Sequence, residues 1–183
     1  AAARGERVMF FAFDESMHTL YRRAAAMGLH FDAHIGAGTL IVQQIDPAEI
    51  APGELANKIV ECVEKHATRV IVLDSLNGYV NAMPQEDYIN LHLHELLSFL
   101  NQRGVVTIMT LAQQGLVGHM GVPVDVSYLA DTVVLTRFFE TRGAVRKAIW
   151  MIKKRSGMHE MTIRELVMGA SGVRIGKPLS DFE

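Results

Sequence analysis

The sequence predicts an α/β fold in which a mostly parallel sheet is followed by antiparallel strands. Three observations carry this. Between residues 7 and 111, short apolar β-rich runs alternate with amphipathic stretches of helical spacing, the pattern of a parallel sheet with crossover helices. Two of those runs, 7–13 (RVMFFAF) and 69–74 (RVIVLD), are almost continuously apolar, as in strands covered on both faces. From residue 132 onward, strand-like runs follow one another with turns but no helical connectors, which predicts an antiparallel extension of the same sheet.

Taken in order, the run 7–13 is the first strand. A helix is expected over 16–27, with Gly28 as its stop. Residues 40–44 form a short strand. Pro52-Gly53 opens a helix over 54–66, where Leu55, Ile59 and Cys62/Val63 share one face. The run 69–74 is the next buried strand. The spacing of Ile89, Leu93, Leu96, Leu97 and Leu100 predicts a helix over 85–101. Residues 104–111 (GVVTIMTL) form a further strand. The Gly-rich stretch 114–124 reads as a loop. Strands over 132–139, 144–153 and 161–168 follow, with turns at Gly143 and Ser156-Gly157. No repeat, low-complexity tract or linker interrupts the chain, so a single domain over 1–183 is expected.

Composition narrows the function classes. Of 183 residues, 49% are hydrophobic and 21% charged, which is ordinary for a globular domain. Eighteen basic residues face twenty acidic ones, so no strongly basic balance supports a sequence-independent grip on nucleic acid, and nucleic acid is not an expected partner. The single cysteine, Cys62, cannot form an internal disulfide. No apolar run reaches the roughly 18 residues of a membrane span, and the N-terminus has no apolar signal region. A cytosolic compartment is the expectation.

Chemistry concentrates where strands end. Asp14-Glu15-Ser16 follows the first strand, and in open α/β sheets ligands bind beyond the carboxyl ends of strands. A carboxylate there can orient and deprotonate a water. The plainer alternative is that Asp14 or Ser16 caps the next helix and Glu15 complements its dipole. Asp74-Ser75 follows the second buried strand. An apolar strand running into Asp matches the magnesium-contacting strand of phosphate-loop NTPases, though many buried strands end in Asp to make a turn. Lys153-Lys154-Arg155 closes a later strand at a turn. Such cations can stabilise a transferring phosphoryl group, or they can be a solvated tip guarding a sheet edge. His92 and His94 are two apart on a helix and do not share a face, so no metal site is expected there. No G-x-x-x-x-G-K-[ST] motif occurs. The nearest string, 172–178 (GVRIGKP), has the wrong spacing and ends in proline, and it reads as a surface turn.

Four ordered segments together resemble a known family: GERVMFFAFDES (5–16), RVIVLDSLNGY (69–79), SYLADTVVLTRFFETRG (127–143) and KAIWMIKKRSGMHEMTIREL (147–166). They are similar to the KaiC family of RecA-like ATPases, and the match runs from about residue 5 to the end. The resemblance implies a RecA-like phosphate-loop NTPase fold with ATP and magnesium as cofactors. It implies that Asp14 and Glu15 are the pair of catalytic acids, with Glu15 favoured as the base, and that Asp74 holds magnesium directly or through water. It implies that Lys153 and Arg155 reach the phosphates of ATP bound to a neighbouring subunit, with His159 and Glu160 near the nucleotide edge. Members form hexameric rings, so self-association is implied, and a signalling protein is a further expected partner.

The sequence departs from the family pattern in two places. The chain opens where the helix after the phosphate loop should be ending, so the first strand and the loop are expected to lie outside it. Where clock members carry adjacent Ser and Thr autophosphorylation sites, this chain has Ser127-Tyr128. Ser127 is then the remaining phosphoacceptor. The resulting expectation is an ATP-binding, ATP-hydrolysing regulatory module with autokinase activity. The alternative is a non-catalytic RecA-like module for ring assembly or signalling.

Overall fold

The computed structural model describes residues 1–13, 15–46, 48–81, 86–112 and 127–180. The chain divides into two compact units. One is built from Ala1–Ala25 and His30–Ala112, the other from Ala26–Leu29 and the described residues from Ser127 on.

The first unit contains β1 (Val8–Ala12), α1 (Met17–Ala26), α2 (Phe31–Gly36), β2 (Leu40–Gln44), α3 (Pro52–His66), β3 (Val70–Asp74), α4 (Leu76–Asn81), α5 (Glu86–Gln102) and β4 (Val106–Met109). Its four strands form one parallel sheet in the order β2-β1-β3-β4. The apolar runs decide which strands are central. In β1, Val8, Met9, Phe11 and Ala12 are all buried, and β1 lies between β2 and β3. Met9 and Phe11 alternate onto the same sheet face as their register partners Ile71 and Leu73. Phe11, Ile71 and Leu73 are each 0% exposed. The helices bury matching stripes: Leu55 and Ile59 on α3, and Ile89, Leu93, Leu96 and Leu100 on α5. Those α5 positions fall at i, i+4, i+7 and i+11, one face of a 3.6-residue period.

Helix α3 starts with a proline in its first turn, where the missing N–H costs nothing. It ends on Ala67 in the left-handed region (φ 50°), and the next residue, Thr68, closes the end by donating its N–H to the Cys62 carbonyl at 3.2 Å. Leu93 is fully buried, so Leu93→Ala leaves a cavity that cannot fully collapse. We expect a loss of about 2–5 kcal/mol in chemical denaturation. A loss below about 1 kcal/mol would contradict the assignment of this stripe to the core.

The second unit contains β5 (Thr132–Thr141), β6 (Ala144–Lys154), β7 (Arg164–Gly169) and β8 (Gly172–Pro178) in an antiparallel sheet of that order. Arg142 and Gly143 join β5 to β6 with φ of 49° and 72°. Positive φ at both central residues is what a two-residue hairpin turn of matching twist requires.

Two expectations need correction. The antiparallel strands do not extend the parallel sheet. They form a second four-stranded sheet, and no pairing joins β4 to β5 among the described residues. Two-residue turns join β5 to β6 and β7 to β8, and a nine-residue connection joins β6 to β7, so each strand pairs with the one before it in sequence. The string 172–178 is strand β8 and not a surface turn. Its Val173, Arg174 and Ile175 pair with Met168, Val167 and Leu166. Gly176 resembles punctuation but serves close approach: a Cβ there would lie 3.2 Å from the Glu165 Cβ. Pro178 sits at the strand's end, where a missing donor is tolerated.

The strand expected over 161–168 starts later, at Arg164. The preceding residues are held instead by Glu160, whose carboxylate accepts from the Thr162 hydroxyl and, at 2.6 Å, from Arg164 Nε. The loop expected over 114–124 lies outside the described residues.

Candidate functional site

Strands β1 and β3 are parallel neighbours, with Ala12 in register with Asp74. The ladder runs one residue further, since Phe13 N–H donates to the Asp74 carbonyl at 2.8 Å. Both strands therefore end at the same level of the sheet. Glu15 lies three residues past the end of β1, and Asp74 is the last residue of β3. Asp14 lies outside the described residues.

Ser16 takes the capping role that the plainer alternative gave to Asp14 or Ser16. Its hydroxyl accepts from the Thr19 N–H at 3.2 Å, so Ser16 caps α1. The Glu15 carboxylate is ion-paired with Arg23, two turns further along the helix. The same guanidinium lies 3.8 Å from Asp74 Oδ2. The other Asp74 oxygen, Oδ1, accepts from the Thr110 hydroxyl at 2.5 Å. Thr110 stands just past β4, and its N–H donates to the Leu73 carbonyl at 3.1 Å. Three adjacent strand ends thus converge on one carboxylate pair. Asn77 ties the segment beyond β4 to α4: its amide donates to the Ala112 carbonyl at 3.1 Å and accepts from the Ala112 N–H at 2.7 Å. The Asp74–Ser75 peptide is cis.

The side chains of Glu15 and Asp74 are 21% and 28% exposed. They are reachable by a ligand yet partly shielded from water. The oxygen set is two carboxylates and a hydroxyl, hard donors of the kind magnesium takes alongside substrate phosphates. Among the described residues, no cluster of three or more His, Cys, Asp and Glu side chains forms a self-sufficient metal cage. Glu15, Asp74 and Thr110 are the oxygen donors at this end of the sheet that could face a cation.

Beneath this end of the sheet, Tyr79 of α4 packs edge-to-face on Phe13, with ring centroids 6.5 Å apart. Tyr79 is 2% exposed, and its hydroxyl has no hydrogen-bond partner among the described residues. Burial pushes its pKa up to about 12. An unpaired buried hydroxyl is a net cost. We therefore expect Tyr79→Phe to melt at or above the wild-type temperature, by the equivalent of up to about 1 kcal/mol. A clear drop in calorimetry would show that the hydroxyl has a partner.

The second unit gathers the other residues singled out in the sequence. Lys153 Nζ donates to the Ser127 carbonyl at 2.8 Å and lies 3.4 Å from the Tyr128 carbonyl. Arg155 Nη2 donates to the Tyr128 carbonyl at 3.0 Å, and Nη1 pairs with Asp131 Oδ1 at 3.0 Å. The Arg155 N–H donates to the Asp131 carbonyl at 2.7 Å. Lys153, Arg155 and Ser127 are therefore brought together, with both cations seated on the 127–131 backbone. Lys154 turns away, to the Met158 carbonyl. His159 is half-buried and Glu160 exposed. The Thr162 hydroxyl first, and then Arg164, hold the Glu160 carboxyl below its ordinary range. Glu160 thus braces its own turn.

The sequence reading missed Arg23, Thr110 and Asn77. Arg23 carried one weak signal: it lies eight residues after Glu15, two helical turns on. Thr110 and Asn77 are found only once the strand order is known.

The family model for the KaiC ATPase matches residues 1–180. The chain belongs to the KaiC family of ATPases. Its α/β architecture, with a parallel and an antiparallel sheet, is the RecA-like one that membership entails. Among curated relatives, the circadian clock protein KaiC3 of Synechocystis sp. is 28% identical over 180 residues, covering 96% of this chain. The circadian clock oscillator protein KaiC of Thermostichus vulcanus is 24% identical over 181 residues, and that of Synechococcus elongatus is 23% identical over 184. The chain spans about a third of the length of these relatives, 35% in each case. Among the described residues, no helix is long and apolar enough to cross a membrane.

Proposed function

We propose that this KaiC-family chain contributes the water-activating and magnesium-holding side of an ATP-hydrolysing site in a regulatory ATPase. The observation that carries the reading is the convergence of Glu15 and Asp74 at the carboxyl ends of adjacent parallel strands, bridged by one guanidinium. Glu15 is the base: its carboxylate takes the proton of the attacking water as that oxygen bonds to the terminal phosphorus and the bond from that phosphorus to the bridging oxygen breaks, so that ADP leaves with the bond's electron pair and phosphate is released. Asp14 supports it. Asp74 holds magnesium, directly or through a water, with Thr110 fixing the orientation of its carboxylate. Magnesium, when bound, supplies charge that neutralises the phosphate oxygens.

Lys153 and Arg155 supply cations for the ATP of a neighbouring copy, with His159 and Glu160 beside the nucleotide edge. This requires a ring of copies, and a hexamer is the arrangement proposed. Ser127 is the hydroxyl proposed to accept a phosphoryl group, within reach of the Lys153 that already holds its carbonyl. A signalling protein is the proposed reader of the ring's state. These roles make residues 1–183 one functional domain.

The sequence holds no G-x-x-x-x-G-K-[ST] motif. The test therefore compares this chain with a form extended at its N-terminus across the segment that carries the phosphate loop in the family. Mg-ATP binding and turnover by the extended form, with turnover lost in Glu15→Gln, is the expected result. An extended form that carries the loop yet binds no Mg-ATP would replace this reading with that of a non-catalytic assembly module.

A further inference from the structure

Arg23 has no place in the roles above, yet it makes the closest charged contacts in the candidate site. It pairs with Glu15, and it stands 3.8 Å from Asp74 Oδ2. Asp74 Oδ1 is already taken by Thr110, so Oδ2 is the oxygen left for a metal ion or its water. Arg23 thus lies against the oxygen a divalent cation would approach, and it also occupies the carboxylate that would take the proton of water.

We propose that Arg23 is a displaceable counter-ion for the Glu15–Asp74 pair. It holds the two carboxylates together when no divalent cation is present and swings out when one binds. The inference rests on the reading of Asp74 and Glu15 as the magnesium-facing pair. Two half-shielded carboxylates at neighbouring strand ends repel each other, and one guanidinium between them relieves that repulsion. A magnesium ion does the same with twice the charge but needs near-octahedral oxygen ligands at about 2.0–2.1 Å. A guanidinium and a metal cannot both use the same lone pairs. Release of Arg23 is cheap, because its side chain is 54% exposed and its charge can move into water. Arg23 is a positioning residue: it sets where the carboxylates rest and how readily the cation enters.

Cation binding without nucleotide tests this directly. Mn²⁺, the probe in place of magnesium, is titrated into this chain at low ionic strength, and free Mn²⁺ is read by electron paramagnetic resonance. Removing one charge from within about 4 Å of the site is worth roughly a three- to fivefold tightening in Arg23→Gln. Arg23→Lys keeps the charge and is expected to bind as wild type. The gain is expected to vanish in Arg23→Gln/Asp74→Asn and to shrink as salt is raised, since exposed charge pairs are screened. If Mn²⁺ affinity in Arg23→Gln equals or falls below wild type while Asp74→Asn weakens binding, the counter-ion role is overturned and the magnesium reading stands. If Asp74→Asn and Glu15→Gln leave Mn²⁺ binding untouched in wild-type and Arg23→Gln backgrounds alike, the underlying site reading is the one that fails.

Discussion

Glu15→Gln in the loop-bearing form is expected to lower Mg-ATP turnover by about 100-fold or more while leaving nucleotide affinity within roughly threefold. The amide matches the carboxylate in size and still accepts a hydrogen bond, so the contact with Arg23 persists and the strand end stays in place. What it loses is the ability to take a proton. General-base removal acts on the chemical step and not on ground-state binding, so the loss belongs in kcat. The paired measurement is steady-state hydrolysis alongside equilibrium binding of a fluorescent ATP analogue. A decrease of less than about tenfold would move the base to Asp14, and Asp14→Asn would then carry the large effect. Equal loss of binding and turnover would mean that Glu15 holds the site together and does not act on water.

The second large effect is expected at Arg155. If this cation stabilises charge on a neighbour's ATP, Arg155→Ala should cut turnover by roughly 1,000-fold, the scale of a lost arginine finger. The variant should still fold. The Asp131 pair it breaks is between side chains 58% and 56% exposed, a class worth at most about 1 kcal/mol. Arg155→Lys should recover only part of the activity, because an ammonium cannot reproduce the planar fork that now spans Asp131 and the Tyr128 carbonyl. Action in trans has its own signature. Mixing Arg155→Ala subunits with Glu15→Gln subunits should restore turnover in rings where an intact Glu15 site faces an intact Arg155. No recovery in such mixtures would place the cation in its own subunit's chemistry or outside the chemistry altogether.

The legibility of this fold follows from where burial leaves a periodic trace. The strand at 40–44 has the bounds its sequence suggests, and α3, β3 and α5 differ by one or two residues. Each carries either a continuous apolar run or a repeating stripe. Helices α2 and α4 have six residues apiece, too short for a stripe to declare itself. Strand β8 was hidden by its glycines and proline, residue types whose roles there depend on Glu165 and on the strand's end. The separation of the two sheets was invisible because strand character does not specify the neighbour a strand pairs with.

The same contrast holds in the candidate site. Glu15 and Asp74 were legible as acids following apolar runs, and the register of β1 with β3 brings their strand ends to one level. Arg23 and Thr110 complete that cluster from a helix face and from just past a third strand, and no local spacing announces either. Lys153, Arg155 and Ser127 were legible as types, but the contact between the cations and the 127–131 backbone is a property of the folded sheet.

The most direct test of the magnesium–nucleotide site is hydrogen exchange by mass spectrometry on the loop-bearing form, with and without saturating Mg-ATP. The account predicts slowed exchange in peptides covering 12–16 and 74–77, and across 153–160 where a neighbour's nucleotide is met, with the 141–144 turn unchanged. Stoichiometric Mg-ATP binding with no protection at 12–16 and 74–77 would contradict it, because the nucleotide would then sit away from the Glu15–Asp74 pair.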